Sequence, residues 1–306
     1  MSEPTLSVVV AAVEGGAALR GCLEALARQV EAPPLEVIVA CDDALTDAPA
    51  LANDYPQVRW LPLDAGPAPR NALEAHVLYD RRRAAGLGAA RAPLVAMLVD
   101  QGWPRPDWAR RLVELHAREP AAAIGGAVTN GARGALRRAL FVCDFGRFEP
   151  PLDDDDPVWV SDVNVCYRRE ALERLRPLWH SRYQEAEVHW ELRRLGEPMR
   201  LRDAPVVVHR RGDARWGAAL AERIQWGRNF ARLACARASQ LHCLLRAAAS
   251  PAVPFVLAWR HTRAQLRRGH HVGATLGLLP ALLVLLGAWS LGEAVGYAEA
   301  ASAPRR

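Results

Sequence analysis

Lysine is absent from this chain of 306 residues, and all 39 basic side chains are arginine. So uniform a replacement points to genome composition rather than to any one site. No pair among the six cysteines (Cys22, Cys41, Cys143, Cys166, Cys235 and Cys243) has CxxC spacing, which excludes a zinc ribbon and a thioredoxin-type redox centre. Buried thiols in a reducing compartment are the expectation for all six. The 22 Gly and 22 Pro follow no three-residue period, which excludes a collagen-like chain, and no internal repeat is present. No secretory apolar region opens the sequence, which is read as an expectation of no export signal. What is abundant is apolar surface, at 51 % of residues, enough for a sizeable core.

Charge is divided unevenly. Residues 1–212 carry 27 Arg against 30 acidic residues, a net of −3, whereas residues 213–306 carry 12 Arg against 4, a net of +8. The basic surplus therefore belongs to the last third, which also holds the most apolar segment. No nucleic-acid recognition module is present, and the acidic balance of residues 1–212 argues against such a partner. An anionic membrane surface fits the basic third better.

Strands and helices alternate from the start. Leu6–Val10 reads as a strand, Ala17–Val30 as a helix stopped by Pro33-Pro34, Leu35–Ala40 and Val58–Leu61 as strands, and Leu73–Ala85 as a helix. Leu94–Val99 follows as a strand, and Pro104 and Pro106 open a helix through Trp108, Leu112 and Leu115. Continuous apolar strands between amphipathic helices predict a mostly parallel α/β sheet covered on both faces. Residues 121–212 are more irregular, with the apolar stretch Ile124–Val128, the segment Trp159–Tyr167, a helix near Gln184–Leu195, the strand Val206–Val208, and the acidic run Asp153–Asp156 read as a solvated loop. From Ala214 onward the pattern is helical. Residues 272–292 carry no charged side chain, 21 in a row, long enough to span a bilayer or to lie in it as a re-entrant helix. Ala247–Trp259 is a second apolar stretch, too short to span by itself. These limits divide the chain into residues 1–212 and 213–306.

Ligands of open α/β sheets gather at the carboxyl ends of the strands, so the residues just after Val10, Ala40 and Val99 matter most. Asp42 follows the second strand, where a carboxylate can meet a ribose or base, although Asp there also begins loops and caps helices. Arg83 ends the run Arg81-Arg82-Arg83, of which at most one is expected to face a ligand; it could hold a diphosphate or lie on a solvated face. Asp100 ends the fourth strand and could bind Mg²⁺ or Mn²⁺ through oxygen, or simply start a turn. Glu185 and Glu187, two apart, cannot share a helix face, so one of them could take a proton from an attacking hydroxyl. His209 follows the strand Val206–Val208, where a lone His is more often satisfied locally than metal-bound.

In this order the pieces resemble a family-2 glycosyltransferase of the GT-A type across residues 6–212. Ser7-Val8-Val9-Val10-Ala11-Ala12-Val13-Glu14 is similar to the opening strand and nucleotide loop, and Glu36–Asp42 to the second strand with its nucleotide-binding Asp. Arg83–Ala90 followed by Leu94–Leu98 resembles the Arg-containing helix before the metal strand, and Asn164–Leu172 the acceptor-side segment. The resemblance implies a GT-A fold, donor binding by Ala11, Glu14, Asp42 and Arg83, a divalent cation (Mg²⁺ or Mn²⁺) held by Asp100 with His209, and Glu185 as the catalytic base. Where the family carries Asp-x-Asp, this chain has Val99-Asp100-Gln101, and at the base position Gln184-Glu185.

The last third resembles a branch whose members end in an apolar helical segment followed by Gly-Glu-x-x-Gly-Tyr, here Gly292-Glu293-Ala294-Val295-Gly296-Tyr297. That implies an inverting, membrane-associated enzyme working on a lipid or envelope-polysaccharide acceptor from the cytoplasmic face of the cell membrane. The alternative is a degenerate relative that binds nucleotide or scaffolds a membrane complex.

Overall fold

The computed structural model describes residues 3–64, 66, 69–70, 72–235 and 238–302. These fall into two compact units, Met1–Gly131 with Phe148–Gly212, and Ala132–Arg147 with Asp213–Arg306. The elements in chain order are β1 (Leu6–Ala11), α1 (Gly16–Ala27), β2 (Leu35–Cys41), α2 (Ala48–Asp54), β3 (Arg59–Pro62), α3 (Ala72–Ala89), β4 (Leu94–Val99) and β5 (Gly102–Pro104). Next come α4 (Trp108–Arg118), β6 (Ala123–Asn130), α5 (Ala135–Phe145), β7 (Asp153–Asp154), β8 (Val165–Arg168), α6 (Arg169–Arg174), α7 (Arg176–Trp179), α8 (Glu185–Arg194) and β9 (Met199–His209). The chain then runs through α9 (Trp216–Cys235), α10 (Gln240–Ala249), α11 (Val253–Arg267), α12 (Val272–Gly277) and α13 (Leu279–Ser302).

The first unit is built on one mixed sheet in the order β3-β2-β1-β4-β8-β6-β9-β5, with β7 on the far side of β9. The run β3-β2-β1-β4 is wholly parallel, and β1 and β4 are buried at every position, β4 being apolar throughout and β1 apolar but for Ser7. Beyond β4 the expectation of a mostly parallel sheet is corrected. β8 runs antiparallel to both β4 and β6, and β5 and β7 run antiparallel to β9, leaving β6–β9 as the remaining parallel pair.

Helix α1 buries Leu19, Cys22, Leu23 and Leu26, the i, i+3, i+4, i+7 stripe of its sequence. Between the stripe residues, Gly21 allows the Trp103 ring of β5 to close on the helix, since a Cβ there would lie 2.1 Å from Trp103. Helix α3 continues four residues past its expected end. Gly86 is tolerated inside it because it lets the helix sit on β1, where a Cβ would meet Val9 at 2.3 Å. β9 is far longer than Val206–Val208. Its first half pairs residue by residue with β6, and a register shift between Gly126 and Ala127 absorbs Asp203–Pro205, which breaks the sequence pattern. Buried Asn164 ties three elements: it accepts from Trp108 Nε1 of α4 at 2.8 Å and donates to the carbonyls of Ala127 and Pro205, each at 2.8 Å. That anchor fixes the turn Ser161–Asn164 ahead of β8, closed by Asn164 N–H donating to the Ser161 carbonyl at 3.0 Å.

In the second unit α5 packs with the C-terminal helices rather than with the sheet, so residues 132–147 leave the first 212. Arg223 of α9 donates to Asp144 of α5 in a buried ion pair, with Nη2–Oδ2 at 2.8 Å. The Gly292–Tyr297 segment is spent on helix packing. Gly292 and Gly296 of α13 face the Ile224 and Arg228 carbonyls of α9, where added Cβ atoms would stand 2.0 and 2.4 Å away. Cys235 and Cys243 form a disulfide, correcting the expectation of six thiols. The uncharged run 272–292 is split between α12 and α13. The stretch around Ala247–Trp259 extends to a helical run Gln240–Arg267, and this run and Leu279–Ser302 are each long and apolar enough to cross a membrane.

Candidate functional site

The register of the parallel strands builds the first half of the candidate site. Ala11 of β1 pairs with Val99 of β4, so the next residue of β4, Asp100, meets the loop that leaves β1. Its backbone N–H donates to the Ala11 carbonyl at 3.1 Å, and its Oδ2 accepts from the backbone N–H groups of Val13, Glu14 and Gly15 at 2.9, 2.8 and 2.7 Å. Asp100 is fully buried, with Oδ1 left unpartnered among the described residues. Burial pushes its carboxyl above the usual range, against the three N–H bonds that favour its charge.

Asp42 stands at the end of β2. Both its oxygens are taken by Arg82 of α3, Nε to Oδ2 at 2.6 Å and Nη2 to Oδ1 at 2.7 Å, while Arg82 Nη1 donates to the Ala12 carbonyl at 2.7 Å. Burial pushes Asp42 up, but the Arg82 guanidinium outweighs it and holds the carboxyl below its ordinary value. Glu14, at the loop's tip, accepts from Gln101 Nε2 at 2.6 Å and from the Gly212 N–H at 3.2 Å. The loop after Ala11 is thus fastened from β4, α3 and the segment after β9.

The three arginines take three directions, because successive residues of a helix turn by about 100°. Arg81 reaches the Asp64 carbonyl at 2.5 Å on the surface, and Arg82 reaches Asp42. Arg83, expected beside the donor, points instead to the residues just before β8 and α8. It pairs with Asp80 and Asp162, donates to the Tyr183 carbonyl at 3.1 Å, and lies 4.1 and 4.9 Å from the Tyr79 and Tyr183 ring centres. Tyr79 donates to Asp162 Oδ2 at 3.0 Å.

Glu185 opens α8 beside this cluster, its Oε2 accepting from the Asp162 N–H at 3.3 Å. Burial is the main force raising its carboxyl well above the ordinary range, followed by the charge of Asp162. Glu187 lies roughly 200° further round the same helix and faces elsewhere. Behind Glu185, the Tyr167 hydroxyl bonds His189 Nε2 at 2.6 Å and the Tyr183 hydroxyl at 2.5 Å, and burial drives His189 down to about 3. Arg82, Asp80, Asp162 and Tyr183 escaped the sequence reading. Asp162 stood just outside the acceptor-side segment, and nothing in its spacing marked it.

The donor set at the end of β4 does not fit a divalent cation. The positions flanking Asp100 hold Val99, which is apolar, and Gln101, whose amide is bonded to Glu14. Asp100 itself spends one oxygen on three N–H groups. His209 is buried at the end of β9, opposite Gly102. Among the described residues no three His, Cys, Asp or Glu side chains converge to hold a metal. A cavity of about 740 Å³ lined by Leu94, Val113, His116, Arg168 and Glu173 lies at the opposite, amino end of β4 and touches none of these residues.

Residues 7–176 match the sequence profile of Glycosyl transferase family 2. No curated protein matches the chain. The fold is similar to that of S. aureus TarS 1–349 in its crystal structure with UDP-GlcNAc, with a TM-score of 0.53 at 12 % identity. The alignment covers 76 % of this chain and 65 % of that one, so the chain spans less than two thirds of that structure.

Proposed function

The chain belongs to glycosyl transferase family 2, and on that premise we propose that it transfers a sugar, with inversion, from a nucleotide-diphosphate donor to a lipid or envelope-polysaccharide acceptor at the cytoplasmic face of the cell membrane. The observation that carries this reading is the arrangement around the carboxyl ends of β1, β2 and β4. A loop fastened by Asp100 and Arg82 adjoins Asp42 on one side, and the carboxyl of Glu185 opens α8 on the other. The nucleotide lies against Asp42 and the loop Ala12–Gly15. The acceptor oxygen bonds to the anomeric carbon as the bond from that carbon to the diphosphate breaks, and the acceptor proton passes to Glu185.

Membrane association is supported by the outer face of the run Gln240–Arg267. Leu241, Leu244, Leu245, Phe255, Val256 and Trp259 fall on one side of it and are 45–68 % exposed, while the inward residues Cys243, Ser250, Ala258 and Gln265 are small or polar. Large apolar groups facing out and small ones facing in suit a lipid surface rather than water. No acidic residue lies between 240 and 268, and Arg246, Arg260, Arg263, Arg267 and Arg268 each add about 1 kcal/mol of attraction to anionic headgroups. Full-length protein is expected to float with anionic vesicles at low salt, and Phe255→Asp with Trp259→Asp to abolish this. Protein that stays at the bottom of the gradient rejects the assignment.

The enzymatic reading is tested by thermal shift and hydrolysis with UDP-GlcNAc, the nucleotide sugar in the TarS structure, beside GDP- and dTDP-sugars. Glu185→Gln is expected to bind donor and lose turnover; a variant that keeps most of its turnover removes Glu185 from the chemistry. Val99 and Gln101, standing where the family carries acids, favour a second reading as a non-catalytic nucleotide-binding relative. Donor binding by the wild-type chain with no turnover of any donor would establish it.

A further inference from the structure

We propose that Arg83 is a positioning residue for the base: its one buried guanidinium ties together the two backbone segments that hold the Glu185 carboxyl, the turn Ser161–Asn164 and the entry to α8. This rests on the assignment of Glu185 as the base and adds what keeps its carboxyl in place.

Tyr79 and Asp80 stand four and three residues before Arg83, so the three share one face of α3. Arg83 is 3 % exposed. Its Nη1 pairs with Asp162 Oδ2, and its Nη2 donates to the Tyr183 carbonyl at 3.1 Å and to Asp80 Oδ1 at 2.5 Å. A planar fork reaches these partners at once, which the single point of an ammonium does not. The Tyr79 and Tyr183 rings, with centres 4.1 and 4.9 Å from the guanidinium carbon, hold the fork in place.

Both partners lead to Glu185. On one side, Asp162 is held by Arg83 and by the Tyr79 hydroxyl at 3.0 Å, and its own N–H donates to Glu185 Oε2 at 3.3 Å. On the other, Tyr183 stands two residues before Glu185. Its carbonyl accepts from Arg83 and its N–H donates to the Asp80 carbonyl at 3.1 Å, so the chain entering α8 is fastened to α3 at both backbone groups. Arg182 of the same segment donates to the second oxygen of the fully buried Asp80 at 3.2 Å. No side chain caps the start of α8, which leaves these tertiary bonds to set where Glu185 begins the helix. A base works only within hydrogen-bond reach of the proton it takes, so loosening either segment removes Glu185 from the acceptor hydroxyl. Arg83 touches no substrate and acts through Glu185.

Amide resonances of the full chain read this without substrate. The Asp162 amide proton is expected to move upfield in Glu185→Ala, which removes its acceptor, and also in Arg83→Lys, which keeps the charge but not the fork. The Val13–Gly15 amides, bonded to Asp100, should stay in place in both. Tyr79→Phe drops one bond to Asp162 and should move the same resonance less. An Asp162 amide unmoved by Arg83→Lys and Tyr79→Phe, or unmoved by Glu185→Ala, overturns the proposal. In hydrolysis of UDP-GlcNAc, Arg83→Lys is expected to lower kcat about 100-fold and to leave KM within about threefold. In the Glu185→Gln background the same substitution should cost nothing further, because no base remains to be misplaced. Equal losses in the two backgrounds would show a general weakening of the fold and overturn the role. Turnover retained by Glu185→Gln would instead overturn the base assignment, and this role with it, while the Asp162 resonance still marked the contact.

Discussion

Asp100 separates two accounts of the strand end that make opposite predictions. As a loop anchor it holds three backbone N–H groups of residues 13–15, all through one oxygen. Hydrogen bonds to a charged acceptor contribute about 1.5–3 kcal/mol each, but the loss on truncation depends on where the freed donors go. Val13 and Glu14 are exposed, so water takes over their N–H groups, at a net cost of about 1 kcal/mol each. Gly15 is buried, and its stranded N–H costs about 1–3 kcal/mol. Asp100→Ala is therefore expected to lose about 3–5 kcal/mol. Asp100→Asn keeps an acceptor oxygen and sheds a charge that burial disfavours, so it should lose about 1–2 kcal/mol. Urea unfolding measures both. Nucleotide-sugar affinity, measured by calorimetry with Mn²⁺ and then with EDTA, should fall in both variants by the same factor under the two conditions, since the damage is to the loop. Unchanged stability in Asp100→Asn together with an affinity loss confined to Mn²⁺ would refute the anchor and return Asp100 to metal binding.

Arg82→Met strands Asp42 with no cation on its oxygens, and is expected to cost about 3–5 kcal/mol in urea unfolding; Arg82→Met with Asp42→Leu should regain most of it, and a loss below about 0.5 kcal/mol in the single variant would show the pair to be idle. Gly292→Ala places a Cβ 2.0 Å from the Ile224 carbonyl and must part α9 from α13, at about 1–3 kcal/mol, whereas Gly287→Ala on the same helix meets nothing and should be neutral in the same thermal melts. His116 and His189 are pushed down from 6.5 to about 4 and about 3 by burial, so the unfolded chain binds protons that the folded chain refuses. Their contribution to stability is whole above pH 6.5 and is lost as pH falls, at up to about 1.4 kcal/mol per unit for each. Glu185 runs oppositely, its contribution lost as pH rises above the ordinary Glu range. Denaturation midpoints across pH 7 to 5 should fall less steeply in His189→Asn; an unaltered slope would mean that His189 is solvated.

The elements were legible where one interaction dominates. β4 is apolar throughout and β1 apolar but for Ser7, a pattern that a doubly covered strand buries, and the stripe Leu19, Cys22, Leu23, Leu26 has a helix period. The carboxyl-end rule places Asp42 and Asp100 near one another from the sequence alone. β9 was underread because Asp203–Pro205 interrupts its pattern, and the bulge that accommodates them depends on β6, some 80 residues earlier.

Sequence by itself determined the α/β alternation, the residues at the strand ends, the helical last third and its excess of arginine, since each follows from local composition and period. Tertiary structure alone decided which way those residues face. Asp100 points into the loop because Ala11 is in register with Val99, and Arg82 rather than Arg83 meets Asp42 because Gly86 seats α3 on Val9 at one rotation. Asp162 joins Glu185 because Asn164 pins a turn between α4, β6 and β9. The pairing of Cys235 with Cys243, the transfer of α5 to the C-terminal helices and the apolar outer face of Gln240–Arg267 were settled in the same way. A side chain's direction is fixed by the rotation and register of the element that carries it, and those are set by contacts with residues far away in the chain, which no local pattern encodes.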